Sequence, residues 1–330
     1  METVLILGGR GRLGAAAAQA FAEAGWQVLA QVRPGAATPP LPGVRWLPCA
    51  VSALPGLAGA AAGTSVVVHA LNPAYSPAAW RREAMPMLES SLALTRSLGA
   101  TLMLPGNVYN FGPDMPALLQ EDTPQQARFE LGRIRIAMEQ RLAEAVAAGG
   151  LRAVVLRAGN FFGSGRGTLL DLLVAPRLPQ GRVTWIGPQD VATPWAYLPD
   201  LARTFVQVAL RRGQLPALAS LNFAGHQLRA AQWQEVLTDV AWEQGWLPPS
   251  GQLRLRRIPD WVFPLAGCVL PTFAALAQTR YLFGTPHRLD NRRLCALLGA
   301  EVRTPFDQAL RQALADLGLL RFSPASPAGA

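Results

Sequence analysis

The chain has 330 residues, half of them apolar and 15% charged, which excludes a disordered protein and leaves room for one large or two modest domains. Its formal net charge of +9 comes from 30 basic residues, every one an arginine, spread along the chain without a dense block. Scattered arginines without interleaved aromatics argue against a nucleic-acid partner and fit some anion-binding duty.

The first residues run straight into a strand pattern, so no signal peptide is expected. TVLILG is a short apolar run ended by glycine, the mark of a buried parallel strand. Leu13 to Ala24 is alanine-rich and helical, and Gly25 stops it. WQVLAQV is a second strand, followed by the all-turn segment RPGAATPPLPG. VRWLPCA is a third strand and TSVVVHAL a fourth. Ser76 to Leu98 reads as a long helix, ATLMLPG as a fifth strand, Arg128 to Ala148 as a helix, and LRAVVLRAG as a sixth strand. This alternation predicts an α/β fold with a Rossmann-type, doubly wound parallel sheet.

Beyond about residue 160 the rhythm loosens. WAYLPDLARTFVQVAL reads as a strand entering a helix, with Asp200 as a helix cap, and SLNFAG as another short strand. From about residue 226 the chain reads mostly helical. The apolar run WVFPLAGCVLPTFAALA from Trp261 is short for a membrane span and carries Pro264 and Pro271, so it predicts a buried, broken helix and no membrane partner. The tail RFSPASPAGA is expected to fray. These patterns divide the chain into a dinucleotide-binding domain over 1–165 and a smaller, mostly helical substrate domain over 166–330, with about 193–225 returning to the sheet. Cys49, Cys268 and Cys295 lie too far apart for a metal site or a disulfide framework. They predict reduced, mostly buried thiols in a cytoplasmic protein.

Gly8, Gly9, Gly11 and Gly14 read as G-x-G-x-x-G from Gly9 or G-x-x-G-x-x-G from Gly8, between a strand and a helix. That context suits a dinucleotide: the glycines permit a tight turn and a close approach to pyrophosphate, and the helix N-terminus favours negative charge. The second strand ends in Gln31 and Arg33 with no acid to hold a ribose 2′-hydroxyl. Arg33, with Arg10 and Arg12 in the turn, suits a 2′-phosphate, so NADP is expected rather than NAD.

The stretch LGGRGRLG resembles the TGGxGFxG turn of the extended short-chain dehydrogenase/reductases, the NAD(P)-dependent epimerase/dehydratase group. VVVHALNP, NVYNFGP, LRAGNFFG, WAYLPDLAR and RLDNRRLCALLGAEVRTPFDQALRQAL agree with it in order and rough spacing. The resemblance implies cofactor contacts at Leu13 within the turn and at Ala70, Leu71 and Asn72 beyond the fourth strand. It implies a substrate side at Asn160, Phe161 and Phe162, with core packing the equal alternative for the two aromatics, and a homodimer through the two long helices. It also exposes a departure: the family's Tyr-x-x-x-Lys pair cannot exist in a chain without lysine. Placing Glu139 by analogy puts Arg135 at the lysine position, Leu131 at the tyrosine position and Pro105 near the serine position.

Four tyrosines remain, Tyr75, Tyr109, Tyr197 and Tyr281. Tyr109 follows the fifth strand beside Asn107, where open α/β sheets bind ligands. With Arg133 or Arg135 nearby it is the candidate acid, and the alternative is a pocket wall. His69 reads as a hydrogen-bonded pocket residue, and His226 and His287 as structural. Two functions stay open: an NADP-dependent oxidoreductase of atypical type acting on a small carbonyl or sugar-like substrate, and a non-catalytic dinucleotide sensor on the same fold.

Overall fold

The computed structural model describes residues 1–320. The chain runs β1 (Thr3–Leu7), α1 (Arg12–Glu23), β2 (Gln27–Val32), β3 (Val44–Pro48), β4 (Thr64–His69), α2 (Pro77–Ser97), β5 (Thr101–Gly106), β6 (Leu118–Leu119), α3 (Glu130–Ala147) and β7 (Arg152–Arg157). It continues as β8 (Asn160–Phe162), β9 (Arg182–Trp185), β10 (Thr193–Tyr197), α4 (Leu198–Leu210), β11 (Leu218–Asn222), β12 (His226–Leu228), α5 (Ala230–Glu243) and β13 (Arg254–Arg257). The last elements are α6 (Val262–Gly267), α7 (Pro271–Thr279), β14 (Arg288–Leu289), α8 (Arg292–Leu298) and α9 (Phe306–Asp316).

Seven strands form one parallel sheet in the order β11-β7-β5-β4-β1-β2-β3. Every residue of β1 is buried, because helices cover both faces. Alternate residues choose the face. Val4, Ile6, Val66 and Val68 pack with Phe21 of α1 and Leu201 and Phe205 of α4. Leu5, Leu7, Val67 and Leu104 pack with Leu88 of α2 and Leu131 and Met138 of α3. Strand order reverses at β1, which lies between β2 and β4, so a crevice opens at the carboxyl ends of the strands there.

A second core gathers aromatic residues from β8, β9, β10 and α5. Trp195 and Trp233 have ring centroids 4.9 Å apart, and Phe162 lies 5.3 Å from Trp233. The sheet β12-β10-β8 joins this core to the main sheet through Asn160–Phe162 directly after β7.

Three expectations are corrected, and the expectation that the tail from residue 321 frays falls outside the described residues. The run from Trp261 is a broken helical pair, α6 and α7, but it is not buried: Trp261, Leu265, Val269 and Leu270 face solvent while Phe263 and Ala275 turn inward. Apolar composition does not say which face finds a partner. No cysteine is buried: Cys268 is exposed, and Cys49 and Cys295 are half-buried, all as free thiols. Asp200 does not cap α4, because that helix starts at Leu198 with Pro199 in its first turn. Its buried carboxylate instead accepts from the Thr304 backbone N–H (2.7 Å) and hydroxyl (2.8 Å) and from Arg203, tying α4 to the segment before α9. Among the described residues no helix is long and apolar enough to cross a membrane.

Candidate active site

The glycine turn links β1 to α1 at the crevice. A Cβ on Gly14 would stand 2.2 Å from the Gly8 carbonyl oxygen, so only glycine lets α1 pack on the end of β1. Gln31 braces the turn, accepting from the Gly8 N–H at 2.9 Å while its amide donates to the Cys49 carbonyl. Gln31 is buried, so its part is to hold the turn and not to touch a ribose.

The turn fits a dinucleotide phosphate. No side chain caps α1 and no acid lies in its first turn. The N–H groups of Arg12, Leu13 and Gly14 therefore have no acceptor among the described residues. Gly11, Arg10 and Arg33 are exposed, and neither arginine side chain has a hydrogen-bond partner or carboxylate among the described residues. Ala70 and Leu71 lie against this turn, the Ala70 carbonyl 2.9 Å from where a Gly8 Cβ would be. Asn72, exposed, donates only to the neighbouring Pro73 carbonyl at 3.1 Å.

Arg12 is half-buried and faces the loop after β8, its Nε 3.7 Å from where a Gly167 Cβ would stand. Burial pulls its pKa down, while the Asp171 carboxylate opposes that fall.

Past β5 the chain turns through Asn107, whose side-chain oxygen accepts the Tyr109 N–H at 3.0 Å. The Tyr109 hydroxyl lies 3.4 Å from the Tyr75 hydroxyl, which is 2.8 Å from Thr279 Oγ1 on α7. Tyr281 donates to the Tyr109 carbonyl at 3.2 Å. Three of the four tyrosines therefore meet at this turn. Burial raises the Tyr109 pKa, while Tyr75 and the charges of Arg135 and Arg12 pull it back. Tyr75 is raised further, chiefly by burial.

The three substituted family positions also meet here. Leu131 is fully buried among apolar side chains, and its N–H donates to Gln278 Oε1 at 3.1 Å. Arg135 donates to the Pro105 carbonyl and brings Nη1 to 3.9 Å from Met138 Sδ. It anchors the end of β5 and acts on Tyr109 only through its field. Arg133 is exposed and takes no part.

Two residues of consequence escaped the sequence reading. Arg157, 1% exposed at the end of β7, donates twice to Glu139 (3.0 and 2.7 Å) and to the Asn107 carbonyl at 2.6 Å, with Phe111 beneath its guanidinium at 5.1 Å. Glu139 also accepts from Gln125 at 2.7 Å, and Gln125 accepts from Asn110 at 3.0 Å. Burial opposes the Glu139 carboxylate, but Arg157, Arg135 and Gln125 outweigh it and lower its pKa. This network fixes the 107–111 turn. Gly132 was missed as well: a Cβ there would stand 2.6 Å from the Tyr109 carbonyl oxygen. An arginine ending an apolar strand is a sequence signal for a buried ion pair, but its partner lies 18 residues away on a helix.

At the start of β8, Asn160 and Phe161 are half-buried, and Asn160 Nδ2 is a buried donor without a partner among the described residues. Phe162 belongs to the aromatic core. No histidine hydrogen-bonds to Tyr75, Tyr109 or Asn160 among the described residues. His69 meets Ser91 Oγ at 2.8 Å under α2, and burial with the charge of Arg135 pushes its pKa down to about 3. His226 is pushed down to about 4, first by burial, and His287 is lowered by burial.

A parallel sheet reversing order at β1, an uncapped helix behind a glycine turn and a tyrosine at the carboxyl edge define a Rossmann-type dinucleotide-binding protein. The profile of the NAD dependent epimerase/dehydratase family matches residues 4–217. The chain belongs to that family, as a member without the Tyr-x-x-x-Lys pair. Among solved structures it is similar to the Thermotoga maritima UDP-glucose 4-epimerase with UDP-glucose, at 14% identity and TM-score 0.72, over 95% of this chain and 98% of that one. It is also similar to Bordetella bronchiseptica WbmH with NAD+, at 18% identity and TM-score 0.69, over 96% and 98%. MoeE5 with UDP-glucose and NAD matches at 17% identity and TM-score 0.69, over 95% and 98%. At these identities the likeness is one of fold. No curated protein sequence matches.

Proposed function

We propose that the protein is an NADP-dependent oxidoreductase acting on a carbonyl or sugar-like substrate, with Tyr109 as its proton donor. The observation that carries this reading is the Tyr109 hydroxyl at the carboxyl edge of the sheet, joined to Tyr75 and flanked by the charges of Arg12 and Arg135. Gly8, Gly9, Gly11 and the first-turn N–H groups of α1 would hold the pyrophosphate, with Ala70, Leu71 and Asn72 beside the nicotinamide half. Arg33 and Arg10 would take the 2′-phosphate. A dinucleotide held there would supply the hydride, and the protein would orient the substrate and supply the proton. Tyr109 gives its hydroxyl proton to the substrate oxygen, and the phenolate left behind accepts a hydrogen bond from Tyr75. The unpartnered Asn160 amide at the start of β8 would be a donor for a substrate oxygen.

A second reading, a dinucleotide sensor without turnover, is favoured by Leu131 and by Arg135, which fill the family's catalytic positions with a core side chain and a backbone anchor. Titration with NADPH and NADH, followed by nicotinamide fluorescence, tests the nucleotide part. NADPH is expected to bind more tightly, and Arg33→Ala to weaken NADPH about tenfold while sparing NADH. Equal affinity, or an Arg33→Ala protein that binds NADPH unchanged, refutes the 2′-phosphate assignment. NADPH binding without turnover across a carbonyl screen favours the sensor. A homodimer through α2 and α3 belongs to either reading, and a monomer mass by light scattering removes it.

A further inference from the structure

The hairpin α6–α7 touches the candidate site only through Gln278 and Thr279 at the end of α7, and its outer face takes no part there. From Trp261 to Thr279 it carries no charged residue. Its inner side is satisfied: Phe263 and Ala275 are fully buried, and Phe263 and Phe273 have ring centroids 6.1 Å apart. Its outer side is not. Trp261 is 66% exposed, Leu265 64%, Val269 81% and Leu270 50%, and Pro264, Pro271 and Thr272 are exposed beside them. Leu265 follows Trp261 by one helical turn, and Val269 and Leu270 occupy the bend between the helices, so the four form one exposed apolar tip.

The base of this tip is basic. Asp260 pairs with Arg257 at 2.9 Å and Arg280 at 3.2 Å, which closes the hairpin. Arg254 and Arg256 precede it on β13. They are exposed, lie on one side of the strand, and have no carboxylate partner among the described residues. The rim thus sets four arginines against one aspartate. An acidic protein groove could match such charge, but an uncharged, exposed apolar stretch with tryptophan at its edge and arginines behind it suits a bilayer interface better. There indole rings sit at headgroup level, aliphatic side chains dip into the acyl boundary and guanidinium groups meet anionic headgroups.

We infer that the α6–α7 hairpin is a docking surface for an anionic lipid bilayer, which holds the protein on the membrane face without spanning it. This departs from the expectation of no membrane partner, which rested on the run being too short to cross. Large single tips of this kind are rarely left exposed without use.

The test is co-sedimentation of the full chain with vesicles of phosphatidylcholine alone or mixed with phosphatidylglycerol. Binding is expected to the mixed vesicles and not to phosphatidylcholine, and added salt should weaken it. Val269→Asp is expected to abolish it, and Arg254→Gln and Arg256→Gln each to weaken it about fivefold. Thermal unfolding of each variant confirms that the fold is intact, since all three side chains are exposed. No binding to mixed vesicles overturns the inference, as does binding that Val269→Asp leaves unchanged. A dimer that Val269→Asp dissociates, with no vesicle binding, overturns it in favour of a second copy of the chain.

Discussion

Tyr109→Phe is expected to lower turnover of a carbonyl substrate by about 10²–10⁴-fold while leaving NADPH affinity intact. The substitution removes one hydroxyl and keeps the ring that packs near Trp80, with centroids 6.2 Å apart. The loss therefore reports proton transfer and not packing. The Tyr109 pKa is held above its ordinary value mainly by burial. A donor must be protonated, so kcat/KM should stay level from about pH 6 to about pH 9 and fall only as the phenol ionises. No buried histidine adds a step near neutrality, because burial keeps His69, His226 and His287 below their ordinary range. Steady-state rates across that range check both points. A Tyr109→Phe protein with unchanged kcat makes Tyr109 a pocket wall, and an inflection near pH 6.5 points to a histidine instead.

The second large effect is on stability. Glu139→Ala would leave Arg157, 1% exposed, and Arg135, 7% exposed, as like charges without their carboxylate. Breaking a buried pair from one side costs about 3–5 kcal/mol, a large share of the roughly 5–15 kcal/mol that holds a domain folded. Should that protein fail to accumulate, Glu139→Gln with Arg157→Met provides the companion, removing both charges. Its loss in urea unfolding should be less than half that of Glu139→Ala. Equal losses would show that packing and not charge governs the site.

Acid should act on the same group. The folded Glu139 pKa is depressed, so its contribution is complete above the unfolded carboxylate pKa and disappears as pH falls through the folded one. The three histidines work in the same direction. Each is held neutral in the fold and takes up a proton when the chain unfolds below about pH 6.5. The melting temperature is therefore expected to decline steadily from about pH 6.5 downward, and a flat profile to pH 4 would contradict these assignments.

The parallel sheet, the glycine turn and the long helices were legible because their cause is local. Buried parallel strands need continuous apolar runs such as TVLIL and VVVH, and a tight turn onto a helix needs glycine at Gly14 whatever the rest of the chain does. Observed helix limits fall within two residues of those expected for α1, α2 and α3. The absence of lysine, and with it of the family's proton-transfer pair, was also plain from composition.

What composition could not decide was which polar side chains meet. Gln31 at the end of β2 carried no role in the sequence, and only the fold turns it inward to brace Gly8. Arg135 looked like a partner for Tyr109, but the end of β5 offers it the Pro105 carbonyl. Tyr75 and Thr279 stand 204 positions apart and become neighbours because α7 folds back over α2 and α3. Asp200 left its expected cap for Thr304, 104 positions on. Glu139 served only as a ruler until β7 brought Arg157 against it. Local sequence sets backbone shape and apolar periodicity, since both depend on residues within a turn or a strand pair. The pairing of buried polar groups depends on contacts between elements far apart in the chain, and only the packed tertiary structure brings those groups within hydrogen-bonding distance.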